Sequence, residues 1–199
     1  MAFFNIDKKA GVDEVGRGCL AGPVFATAVI LKNDINKKDI KDSKKISFKK
    51  RILLSKYIKK NSIYAVGMAT VEEIDKYNIL NASLLAMKRA LNKLKLTPSI
   101  AYIDGLFVPK KMKIKCKNFI KGDEKISCIA AASIVAKASR DLFMINLAKK
   151  FPRYGWNKNF GYGTLDHLNG LKAHGITKHH RKKFKPIHNM LLRKTRETQ

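Results

Sequence analysis

Only 15 acidic residues stand against 42 lysines and arginines in this chain of 199 residues, so the placement of each carboxylate is informative. Asp13 and Glu14 close one short β-type segment, Asp104 closes another, and Asp123 follows just past a third. Each lies beside or close to a glycine: Gly16, Gly105 or Gly122. If the strands are neighbours, their ends bring the carboxylates to one edge of a core. Like charges gathered there repel one another unless cations neutralise them. Hard oxygen donors of this kind select Mg²⁺ or Mn²⁺ rather than zinc. A single Asp–Gly pair is readily explained as a turn. Four carboxylates at the ends of core strands are not. One geometric condition attaches to Asp13 and Glu14. Neighbours on a regular strand face opposite ways, so both serve one site only if the strand bulges or ends there, which Gly16 permits.

The elements that must position these groups follow from the hydrophobic pattern. Residues 10–15 and 24–31 read as strands joined through a glycine-rich turn, and their proximity predicts an antiparallel pair. Residues 37–60 carry Phe48, Ile52, Leu53 and Tyr57 at roughly helical spacing, which predicts a helix with a basic outer face. Residues 62–70 read as a third strand. Thr70 then opens a helix, with Glu73 three residues on to complete a capping box. A second helical run over 81–94 stops at Thr97-Pro98. Short strands at 100–103 and 116–120 precede a helix of small residues over 127–149. Strands first, then strands alternating with helices, imply an α/β fold: a mixed sheet with helices on its faces. Residues 153–163 read as a glycine- and aromatic-rich loop, and no acidic residue lies between Asp166 and Glu197. The stretch 153–199 therefore reads as a small basic helical lobe within one domain covering 1–199.

The formal net charge is +27, far beyond what solubility needs, and it attracts a polyanion. Cys19, Cys116 and Cys128 form neither a disulfide framework nor a zinc pattern, which fits a reducing cytoplasm. The apolar runs 24–31 and 128–136 are too short to span a bilayer, and the N-terminus lacks a secretory signal. The histidines lack metal spacing. His179 and His180, inside the basic run 178–183, read as phosphate-contacting surface.

The blocks around the carboxylates carry a resemblance. Residues 13–23, Asp-Glu-Val-Gly-Arg-Gly-Cys-Leu-Ala-Gly-Pro, are similar to the opening signature of bacterial ribonuclease HII. Asp42-Ser43-Lys44-Lys45, Tyr102-Ile103-Asp104-Gly105, Lys121-Gly122-Asp123 and the run from Ala131 to Lys137 resemble its later blocks in order and spacing. So do Arg140-Asp141, Gly161-Tyr162-Gly163-Thr164, and His180-Arg181 with Phe184 and Pro186. The resemblance implies a ribonuclease H-like fold and a two-metal site of Asp13, Glu14, Asp104 and Asp123, holding Mn²⁺ or Mg²⁺. One ion would activate the attacking water and the other would stabilise the leaving 3′ oxygen. The implied activity is cleavage of the RNA strand of RNA–DNA hybrids, including 5′ of single ribonucleotides embedded in duplex DNA.

The same resemblance makes Gly16, Arg17 and Gly18 a ribose sensor, since glycines let the backbone approach a 2′-hydroxyl. It sets Tyr162 to stack on the following deoxyribose, and Ser43, Lys44 and Lys45 to contact phosphate. Two departures stand out. Phe160 occupies a position where the family often has Lys, leaving that phosphate contact to Lys158 or to nothing. Only 12 residues precede Asp13, which disfavours the related class with an extra N-terminal domain. Residues 190–199 show no sliding-clamp motif. A cytoplasmic monomer without an obligate protein partner is the resulting expectation. A non-enzymatic basic nucleic-acid-binding protein, such as a ribosome-associated one, would explain the charge. It leaves the strand-end carboxylates without a purpose. A junction- or transposase-type nuclease would use them, but does not call for Gly-Arg-Gly beside Asp13-Glu14.

Overall fold

The computed structural model describes residues 8–32, 40 and 46–197. Strands β1 (Lys9–Val15), β2 (Val24–Leu31), β3 (Ser62–Ala69), β4 (Ile100–Asp104) and β5 (Lys115–Phe119) form one sheet in the order β3-β2-β1-β4-β5. β1 and β2 are antiparallel, as the short turn between them requires, while β4 runs parallel to both β1 and β5. The sheet is mixed and helices flank it, as the pattern of elements implied. All eight residues of β2 are buried, which is why Val-Phe-Ala-Thr-Ala-Val-Ile-Leu reads as a continuous apolar run instead of an alternation.

The helices are α1 (Phe48–Lys60), α2 (Val71–Asn92), α3 (Gly122–Lys125), α4 (Ser127–Lys150), α5 (Trp156–Asn159), α6 (Leu165–His174) and α7 (Lys185–Glu197). α1 begins at Phe48, where its apolar spacing begins, and Ser47 caps it by accepting from Lys50 N; residues 37–39 and 41–45 of the expected stretch lie outside the described residues. The capping box ahead of α2 is present: Thr70 N donates to Glu73 Oε2 at 2.9 Å, and Glu73 N donates to Thr70 Oγ1 at 3.3 Å. α2 joins the two helical runs expected over this region. Asn78 breaks it with φ 66° and ψ 168°, and its side chain accepts from Asn81 N to restart the helix. The stretch 153–163 is more ordered than a loop. Pro152–Tyr154 forms a 3-10 turn and α5 follows.

The chain forms two compact units. The first is Met1–Val15, Phe25–Met68 and Ser83–Ser139. Its core sets Val29, Leu31 and Ile58 against Ala130, Ala131, Ala132, Ile134 and Val135 of α4, whose small side chains let the helix lie close on the sheet. The second is Gly16–Val24, Ala69–Ala82 and Arg140–Gln199. Its core gathers Leu20, Met144, Tyr154, Trp156, Leu171 and Ile187. Tyr154 stacks on Trp156 with ring centroids 5.0 Å apart, so the aromatic residues that suggested a loop build a core instead. Among the described residues no helix is long and apolar enough to cross a membrane.

Candidate active site

Within the first unit, the sheet register sets Asp13 beside Asp104. The parallel pairing of β1 with β4 ends at Val12↔Ile103, so Asp13 and Asp104 are the next residues on adjacent strands and share a face. Asp13 is buried, and its carboxyl is held well above the usual carboxylate range. Burial is the main cause, with the charges of Glu14 and then Asp104 adding to it, while a hydrogen bond from Ser133 of α4 opposes them. β1 does not bulge: its ladder with β2 continues unbroken to Val15↔Phe25. What ends at Asp13 is the pairing with β4. Glu14 lies beyond the last β1–β4 pair and acts on Asp13 through space.

Asp104 Oδ1 accepts from Gly122 N at 2.7 Å. Glycine suits that contact, because a Cβ at Gly122 would lie 2.6 Å from Ile129 Cδ1 and 3.0 Å from Phe119 Cβ and would push the Ile129 side chain aside. Asp123, the next residue, is buried in the first turn of α3. Thr27 stands opposite Asp13 in the register, fully buried, with its hydroxyl unpartnered among the described residues. Ser43, Lys44 and Lys45 lie outside the described residues.

In the second unit, Gly16 is buried while Arg17 and Gly18 are exposed. The turn from Gly16 to Pro23 is held from beneath by two fully buried arginines. Arg181 donates from Nε and Nη2 to Gly22 O, from Nη1 to Arg17 O at 2.9 Å, and from Nη2 to Gly16 O at 2.7 Å. Burial lowers its pKa to about 10, which still leaves the guanidinium charged at neutral pH. Arg140 donates to Ala21 O, Pro23 O and Phe160 O. Gly16 has φ +96°, and a Cβ there would meet the Arg140 guanidinium at 2.2 Å, so only glycine fits.

The loop carrying Tyr162 is tied to the same turn. Gly161 O accepts from Leu20 N at 2.8 Å, and Tyr162 shares a side-chain hydrogen bond with Cys19. Burial, with the neighbouring Cys19, raises the Tyr162 phenol, so it stays neutral; its side chain remains partly exposed. Phe160, in place of the family's frequent Lys, packs against the second core and adopts φ 51°. Lys158 is exposed.

His180 is fully buried, which corrects its reading as phosphate-contacting surface. It bonds His167 and Thr177, and the Lys178–Lys183 charges around it mask that role in the sequence. Ser133, Arg140, Arg181 and His167 were also not singled out for a site role by sequence reasoning, because their partners lie far away in the chain or are backbone carbonyls.

A family pattern described as Ribonuclease HII matches residues 10–187. The chain belongs to that family. A ribonuclease HII of Pelagibacter ubique is 59% identical over 92% of this chain and 98% of its own length. The crystal structure of ribonuclease H2 from Pyrococcus horikoshii, 25% identical, superposes with a TM-score of 0.79 over 93% of this chain and 97% of that one. The structure of a PCNA:RNase HII complex from Archaeoglobus fulgidus matches with a TM-score of 0.73 at 28% identity, over 89% and 95% of the two chains. As a ribonuclease HII, the protein is an endoribonuclease acting on the RNA strand of RNA–DNA hybrids.

The family depends on divalent metal, and the first unit fits that need by its donor chemistry. Asp13, Glu14 and Asp104 are charged oxygen donors whose repulsion a cation would offset, and the orphaned Thr27 hydroxyl marks the same buried face. Among the described residues no three such side chains already converge on one point.

The buried histidines give the fold a pH dependence. Burial lowers His167, and burial with the adjacent His167 lowers His180 to about 4. A histidine depressed in the folded state is protonated first in the unfolded chain. Its contribution is complete above the unfolded value near 6.5 and is lost as pH falls toward about 4. Urea midpoints should therefore drop between pH 6.5 and 4, and His180→Asn should flatten that slope. An unchanged slope in the variant would place the acid sensitivity elsewhere.

Proposed function

We propose that this ribonuclease HII cuts 5′ of ribonucleotides, including single ones embedded in duplex DNA, and leaves 5′-phosphate and 3′-hydroxyl ends. Asp13, Glu14, Asp104 and Asp123 hold the divalent ions, Mg²⁺ or Mn²⁺. Bound there, such ions supply Lewis acidity toward the phosphate and a water made nucleophilic at neutral pH. The observation that carries this reading is the carboxylate grouping at the ends of β1 and β4, where Asp13 is buried against two like charges.

The chain's own groups do the positioning. Ser133 orients the Asp13 carboxylate, and Gly122 N holds one oxygen of Asp104, which fixes the direction of the other. In the second unit, Gly16, Arg17 and Gly18 read the 2′-hydroxyl. Arg181 and Arg140 draw the turn's carbonyls inward, which fixes the backbone that must approach that hydroxyl. Tyr162 lays its ring on the next deoxyribose, where an added hydroxyl would crowd it. Ser43, Lys44 and Lys45 contact phosphate. The enzyme acts as a cytoplasmic monomer without an obligate protein partner.

Cleavage of a DNA duplex carrying one ribonucleotide tests the reading directly. Cutting 5′ of that nucleotide is expected with Mg²⁺ or Mn²⁺ and none with chelator. Cleavage confined to long hybrids would remove the single-ribonucleotide activity from the proposal. With a formal charge of +27, binding should also weaken steeply as salt rises, and replacing Lys44 and Lys45 should flatten that slope. Salt-independent binding would assign the lysines to composition alone.

A further inference from the structure

The Tyr162 loop carries a second layer of control that the site residues do not account for. Tyr162 N donates to Asn159 O, and Tyr162 O accepts from Thr164 N, each at 2.9 Å. The same carbonyl lies 2.9 Å from His167 Nδ1. A carbonyl only accepts, so His167 must carry its proton on Nδ1. Its Nε2 is then bare, which suits Trp156 Nε1–H, a donor only, at 3.0 Å. His180 Nδ1 receives Thr177 N–H at 3.0 Å and must be bare as well. His180 therefore donates from Nε2 to His167 Nε2 across 3.1 Å. The one lone pair of His167 Nε2 is thus shared between Trp156 and His180, and both imidazoles are neutral. Trp156, His167 and His180 are all fully buried.

We propose that His167 is a positioning residue for Tyr162, its Nδ1–H fixing the Tyr162 carbonyl so that the ring meets the sugar in one pose. The inference rests on the reading of Tyr162 as the residue that stacks on deoxyribose. His167 is suited to the task at both ends. It sits in the first turn of α6, where its own N–H is within 3.4 Å of the capping Thr164 Oγ1. Its ring is locked from behind by Trp156 and His180. The donor that faces Tyr162 O can then neither rotate away nor change tautomer without breaking a buried hydrogen bond.

The test separates position from stability by comparing two substrates. In a uniform hybrid every following sugar carries a 2′-hydroxyl, so the stacking contact is not used. At a single embedded ribonucleotide it is. Single-turnover rates on both substrates give a junction preference, measured where circular dichroism shows each variant fully folded. Tyr162→Ala should lower that preference by about tenfold or more, and His167→Leu should lower it similarly. The double variant should show no further loss, because both changes remove one contact.

Two conservative variants guard against a folding defect. Asn at 167 presents an amide N–H near the Nδ1 position, and Gln presents it near Nε2. His167→Asn should keep most of the preference and His167→Gln should lose it. Equal losses on both substrates in His167→Leu, or a preference kept by Gln and lost by Asn, would overturn the positioning role. A further loss in the double variant would also overturn it. If Tyr162→Ala itself leaves the preference unchanged, the stacking assignment of Tyr162 fails, and the role of His167 fails with it. If Tyr162→Ala loses the preference and His167→Leu does not, the positioning inference alone falls.

Discussion

Asp13→Asn, or Asp104→Asn, is expected to abolish cleavage while duplex binding survives or tightens. The loss should be on the order of a thousandfold or more, about 4 kcal/mol of barrier. Asparagine keeps the size of aspartate and one carbonyl oxygen, so packing against Ser133 and along β1 is nearly unchanged. What disappears is one anionic donor and one charge facing phosphate. The electrostatics of this site add a second readout. Asp13 is buried beside Glu14 and Asp104, and all three repel. Removing the Asp13 charge relieves that repulsion, so in chelator the variant should melt no lower than the parent and preferably higher. A dead enzyme with a raised melting temperature is hard to obtain by damaging the fold. Near-normal turnover with Mg²⁺ in either variant would remove the carboxylate assignment, and a large fall in melting temperature would leave the activity loss attributable to unfolding.

The sheet was legible because its strands follow local rules. β2 is an apolar run, β1 and β2 are joined by a short turn, and Asp104 and Asp123 stand where strands stop beside glycine. The placing of Asp13 beside Asp104 was legible only as a possibility, since it depends on β4 lying next to β1 across nearly half of the sequence. The condition set for Glu14 is not met by a bulge, because β1 stays paired with β2 through Glu14 to Val15; only the β4 ladder ends before it. In the second unit, the residues that hold the sugar-facing loops are those whose partners carry no side-chain signal. Arg140 and Arg181 bind backbone carbonyls, which any sequence supplies. His180 sits among lysines and reads as charged surface, yet its ring is turned inward against His167 and Tyr154. Charge runs report the surface around a residue, not the direction in which one member points.

Arg181→Lys is the second substitution with a large expected effect, and it tests whether the buried guanidinium shapes the Gly16–Gly18 turn. Arg181 makes its bonds from three separate nitrogens in one plane, reaching Gly16 O, Arg17 O and Gly22 O. A lysine has the charge but a single nitrogen, which cannot stand at all three carbonyls. At least one carbonyl is left buried without a donor, and the charge is less well compensated in a site with no exposure. Those losses should cost about 2–4 kcal/mol of stability. The effect on function should go further than stability. The carbonyls held by Arg181 fix the peptide planes of Gly16 and Arg17, and therefore where the next N–H groups point. A shift of about 1 Å in that backbone is enough to lower cleavage by about a hundredfold. Binding to an all-DNA duplex should move little, because the many surface lysines supply it through phosphate contacts. The decisive comparison uses a temperature where Arg181→Lys is fully folded by circular dichroism. Cleavage that recovers to the parental rate there would reduce Arg181 to a stabilising residue. A persistent loss confined to ribonucleotide cleavage, with all-DNA binding intact, identifies Arg181 as the residue that sets the ribose-reading turn.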